Sequence, residues 1–137
     1  MTNNDRDDII PYLIHRYGSA DPFKIAEQLN VDVRWTDLGG EVLGRTRNLF
    51  GQPIVMLDFS IRESLKKYFV MGHELGHVLL HADVGGYYKM VPHGDDRAEA
   101  QADAFGKELM IWLFQEDYGR LPDTYGDLVH AYGCPEM

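Results

Sequence analysis

The chain has 137 residues and a mass of 15.7 kDa, enough for one domain around a single buried core. Its 45% hydrophobic and 26% charged residues are globular proportions that argue against disorder, and no apolar run reaches the ~20 residues of a membrane span. The formal net charge of −9 argues against direct nucleic-acid binding, which needs cationic contacts to phosphate, and suits solubility or a basic protein partner.

The first residues, MTNNDRDD, are acidic and lack signal-peptide character. Asp7 or Asp8 is expected to cap a helix running to about Tyr17, with Pro11 in its first turn and Gly18 closing it. DPFKIAEQL then places Asp21 at an N-cap, Pro22 at the first helical position and a stripe of Phe23, Ala26 and Leu29. VDVRW (31–35) alternates as a strand, and EVLGRTR (41–47) with QPIVML (52–57) reads as a hairpin around Asn48 to Gly51. Ser60 and Glu63 have capping-box spacing, which predicts a helix from Ile61 to about His81 that is apolar on nearly every side.

The stretch 82–96, ADVGGYYKMVPHGDD, reads as a loop. A second long helix is expected from Asp95 or Asp96 to about Gln115–Gly119, with Ala98, Ala102, Phe105, Leu109 and Leu113 on one face. A short helix over about Asp123 to Tyr132 closes the chain. The lone Cys134, in the tail GCPEM, leaves no partner for an internal disulfide, fits a reducing cytoplasm and reads as a chemically idle thiol. The order α-α-β-β-β-α-α-α defines a single α+β domain over residues 1–137, with a small antiparallel sheet packed on helices.

MGHELGHVLLH (71–81) sets His-Glu-Leu-Gly-His inside the first long helix. Residues four apart project from one helix face, separated by ~40° and ~6 Å, so His73 and His77 can meet one Zn²⁺. Glu74, at the flank, is placed to take a proton from a metal-bound water. The bland alternative is a pair of hydrogen-bonded core histidines. His81 lies ~12 Å along the axis from His73, too far to share the ion, and reads as a helix-end residue near the final carbonyls.

A third ligand is required. His93 in the loop has nothing to fix it. Glu99 and Asp103 share a face of the second long helix, so Glu99 can complete the site and Asp103 can accept the free ring N–H of a ligating His. Glu99 equally fits a capping box begun by Asp96. Small residues favour the ligand: Gly72 and Gly76 precede the two His, while Ala98, Ala102 and Gly106 line the other helix. Two such stripes let backbones approach until a short carboxylate reaches across. Tyr87, Tyr88 and His93 are candidate oxyanion donors.

These residues together resemble the ImmA/IrrE family of gluzincin-type zinc metallopeptidases. The resemblance runs from about Asp21 to Leu109 through DPFKIAEQLNVDV, PIVMLD, KKYFVMGHELGHVLLH and RAEAQADAFGKELM. It implies a minimal zincin-like fold, Zn²⁺ on His73, His77 and Glu99, and Glu74 as general base. It further implies a cytoplasmic endopeptidase that cleaves a helix-turn-helix repressor of a phage, mobile element or stress response. The chain departs from the family pattern at Gly106, where Ala is usual, and at WLFQEDYGRLPD, so residues beyond Ile111 say nothing of the substrate. The rival reading is a non-catalytic antirepressor that sequesters a basic repressor, with zinc structural only.

Overall fold

The most apolar strand takes the middle of the sheet. In the computed structural model, which describes residues 5–81 and 96–136, β1 (Asp32–Thr36), β2 (Gly44–Leu49) and β3 (Gln52–Asp58) lie in the order β1–β3–β2. Val55 and Leu57 of β3 are fully buried. β2 and β3 form the expected antiparallel hairpin, registered from Gly44 opposite Leu57 to Leu49 opposite Gln52. Its turn is Phe50–Gly51, both at positive φ (53° and 87°), the backbone hand that matches the twist of the flanking strands.

β1, by contrast, pairs parallel with β3, from Asp32 opposite Ile54 to Thr36 opposite Asp58. The sheet is therefore mixed, not wholly antiparallel as expected. The cause lies in residues 37–43, which cross the end of β3 and deliver the chain to its far side. Asp58 pins that crossing: its carboxylate accepts from the Leu38 N–H at 2.6 Å, and its own N–H donates to the Leu43 carbonyl at 2.9 Å.

Among the described residues the sheet is accompanied by five α-helices: α1 (Asp5–Tyr17), α2 (Pro22–Gln28), α3 (Lys66–Leu80), α4 (Asp96–Tyr118) and α5 (Tyr125–Tyr132). Asp21 caps α2 as expected, accepting from the Phe23 N–H at 2.9 Å. α1 begins ahead of its expected cap, at Asp5. α3 begins five residues late, because Asp58 accepts from the Ser60 N–H and holds Phe59–Ile61 in a 3-10 turn. Ser64 then accepts from the Lys66 N–H at 3.0 Å, and Leu65, ahead of the helix, is exposed. α5 carries a capping box of Thr124 and Asp127 and ends on Gly133 at φ 70°. The expected loop falls, up to residue 95, outside the described residues, and Tyr87, Tyr88 and His93 with it. Among the described residues no helix is long and apolar enough to cross a membrane.

The core gathers Ile25 of α2, Val55 and Leu57 of β3, Leu75 of α3, and Phe105 and Leu109 of α4. Cys134 is buried beside it, and burial pushes its thiol up to about 11. The closest helix contact is between α3 and α4, which run in opposite directions. A Cβ on Gly72 would lie 3.5 Å from the Gly106 Cα, and one on Gly76 would lie 3.3 Å from the Ala102 Cα and 3.2 Å from the Phe105 Cβ. The two small-residue stripes meet as the sequence leads one to expect. Gly76→Val would drive methyl groups into the α4 backbone. The expected cost is about 1–3 kcal/mol from overpacking. It is read as a Tm several degrees lower with loss of zinc uptake; an unchanged Tm would show that the helices have room to spare.

Candidate metal centre

α3 and α4 supply the site from both sides of their contact. His73 and His77 lie one turn apart on α3 with ring centroids 4.9 Å apart. Glu99, in the first turn of α4, sets Oε1 3.0 Å from His73 Nε2 and Oε2 3.2 Å from His77 Nε2. Ligand atoms of the three residues all fall within 4.8 Å of one another. His77 is fully buried, whereas the Glu99 side chain is 41% exposed, so the cluster opens to solvent on the α4 side.

The remaining ring nitrogens also have partners. Asp103, one turn after Glu99, lies 2.7 Å from His73 Nδ1. His77 Nδ1 lies 3.2 Å from His81 Nδ1, and His81 Nε2 lies 2.7 Å from Gln101 Oε1. With each Nδ1 so engaged, both Nε2 atoms turn to the same carboxylate. Two imidazoles and one carboxylate are the donor chemistry that suits Zn²⁺ with a fourth position left for solvent or substrate, so the residues fit the ion. His81 differs from its expected role: its backbone N–H donates to the His77 carbonyl at 2.8 Å, but its ring turns to His77 and Gln101 and not to the helix-end carbonyls.

Glu74 is 2% exposed. The Thr46 hydroxyl, itself buried on β2, donates to Glu74 Oε1 at 2.6 Å. Gly44, two residues earlier on the same inward face of β2, leaves the space beside it; a Cβ there would lie 2.9 Å from Glu74 Oε2. Thr46, Gly44 and Gln101 were not singled out from the sequence. The first two left a trace: the inward positions of β2 hold Gly and Thr where apolar residues would fill a core. Gln101 left none, because its contact depends on how two helices cross.

Burial works against a charge on His73, yet hydrogen bonds to Asp103 and Glu99 and the nearby Glu74 carboxylate outweigh it and hold the imidazolium up to about 9. Asp103 is held below its usual range, first by its hydrogen bond to His73.

A helix bearing His-Glu-x-x-His, faced by a carboxylate from an antiparallel helix beside a small sheet, defines a minimal zincin-like fold. The chain belongs to the Peptidase_M78 family, the IrrE N-terminal-like domain, whose pattern matches residues 26–117 from α2 to the end of α4. It is also similar to a protein of Bacillus phage phi105 named uncharacterized immunity region protein 2. The two are 25% identical over 127 residues, covering 90% of this chain and 79% of the phage protein.

A His raised from 6.5 in the unfolded chain to about 9 contributes stability that is complete below about 6.5 and is lost as pH rises through about 9. With chelator present, the Tm is therefore expected to fall between pH 6.5 and 9, and to fall less in Asp103→Asn. Thermal melts across that range check it; a flat profile in the parent protein would contradict the charged pair.

Proposed function

We propose that this chain is a zinc endopeptidase that acts in the cytoplasm and cleaves a helix-turn-helix repressor, lifting repression of a phage, a mobile element or a stress response. In this reading His73, His77 and Glu99 hold the ion, Glu74 is the general base, and Asp103 accepts the His73 Nδ1–H and fixes that ring. The observation that carries it is Glu74: a nearly buried carboxylate, next to a ligand on the same helix, steadied at one oxygen by Thr46. A purely structural zinc site has no use for such a group.

Zn²⁺ bound there supplies a Lewis acid that polarises the scissile carbonyl and brings the pKa of a water toward ~7. Glu74 takes the proton of the attacking water and hands it to the departing amine. Thr46 holds Oε1, and Oε2, on the Gly44 side, carries the proton in this reading. Among the described residues β2 pairs on one side only, with β3. An extended peptide laid along its other side would bring a backbone carbonyl close to Glu74 by strand addition. Membership of the family supports a metallopeptidase, and the immunity-region name of the phage relative supports a repressor as target. The formal charge of −9 suits a basic, DNA-binding substrate.

Glu74→Gln is expected to keep stoichiometric zinc and to slow cleavage of a repressor encoded beside the gene by about 10²–10⁴-fold, the usual worth of a general base. Fragment formation is the readout. Full relief of repression by this variant with no fragment would establish the sequestering antirepressor instead.

Gly44→Ala is expected to hold zinc as well but to push Glu74 off its Thr46 bond. A loss of turnover of about tenfold or more, with KM little changed, would follow from disturbing the base alone. Full turnover in this variant would show that Glu74 does not need that position.

A further inference from the structure

We propose that Gln101 and His81 form a neutral relay that fixes the tautomer and ring orientation of His77 and so directs its Nε2 lone pair at the ion; this rests on His77 being a metal ligand. His81 is the first residue beyond α3, with φ −135° and ψ 38°, and this break in the helix turns its ring back over the preceding turn. The His77 and His81 ring centroids are 5.3 Å apart, and both residues are buried.

The direction of the relay follows from hydrogen-bond chemistry. Gln101 Oε1 can only accept, so the His81 nitrogen 2.7 Å away, Nε2, carries a hydrogen. A neutral His81 then has a bare Nδ1, which accepts. His77 Nδ1, 3.2 Å from it, must donate, and the one hydrogen of a neutral His77 is thereby used at Nδ1. Nε2 is left with its lone pair on the side of Glu99, where His73 Nε2 also points. The opposite tautomer of His77 would make His81 Nδ1 donate and set a bare His81 Nε2 against the Gln101 carbonyl, two acceptors face to face in a buried place.

The two imidazoles are thus held by unlike partners. His73 leans on a carboxylate and His77 on an imidazole and an amide. Three carboxylates, Glu74, Glu99 and Asp103, already surround the cluster. Together they already carry more charge than one divalent ion would balance, and a neutral relay behind His77 orients the ring without adding to the excess.

The relay is tested by zinc affinity and by imidazole NMR, neither of which depends on activity. In zinc-loaded protein, two-bond ¹H–¹⁵N spectra are expected to show His77 as the Nδ1–H form and His81 as the Nε2–H form. Competition with a chromophoric chelator is expected to give zinc dissociation constants raised about 10–100-fold in His81→Phe and Gln101→Leu, the usual effect of removing an outer partner. His81→Gln, whose amide oxygen can accept the His77 Nδ1–H, should recover part of the loss. Should His81→Phe fail to fold, Gln101→Leu, a half-buried position on α4, decides alone. Folded variants that bind zinc within twofold of the parent, or His81 found as the Nδ1–H form, would overturn the relay while leaving the metal centre standing. A parent protein that takes up no zinc would overturn both.

Discussion

The distance between two helix backbones governs the rest of this molecule. α3 and α4 touch through Gly72, Gly76, Ala102 and Gly106, with the side chains of Phe69, Phe105 and Met110 packed against the same glycines. A helical glycine costs ~1 kcal/mol relative to alanine, so three of them along one contact are a substantial local penalty. The return is reach. Asp has one methylene and Glu two, and only across so narrow a gap can Glu99 touch both imidazoles while Asp103 backs one of them. Gly106 belongs to the same device: a Cβ there would stand 3.1 Å from the His73 backbone nitrogen. Its departure from the usual alanine is therefore explained by packing.

Around that contact the chain solves a solvation problem. Glu74, His77, His81 and Thr46 are all buried in a largely apolar setting, where an unpaired polar group costs ~1–3 kcal/mol or more. Each is met by another polar atom: Glu74 of α3 and Thr46 of β2 by one another, His77 by His81 just past the end of α3, and His81 by Gln101 of α4. The sheet's part in the site follows from its topology. The crossing pinned by Asp58 sends β2 to the flank of β3, and there its inward face, Gly44 and Thr46, lies against α3.

Much of this was legible in the sequence, and the gaps have physical causes. Helical periodicity located α3 and α4, and the four-residue spacings placed His73 with His77 and Glu99 with Asp103 on common faces. The small residues foretold the close contact. Strand direction was not readable, because alternation reports which face is buried and is silent on neighbours. The start of α3 was misplaced because the Asp58 carboxylate takes the Ser60 N–H that the expected capping box assigns to Glu63. Gln101 and Thr46 escaped notice because their roles exist only after distant segments meet.

The tail adds one more consequence. Among amino-acid side chains, a thiolate is the ligand zinc prefers, and this protein has a single sulfhydryl, Cys134. Enclosed in the core with its ionisation displaced to about 11, it stays protonated and inaccessible at neutral pH. Metal ions arriving at the folded chain find no accessible thiolate to divert them from the nitrogen and oxygen donors between the helices.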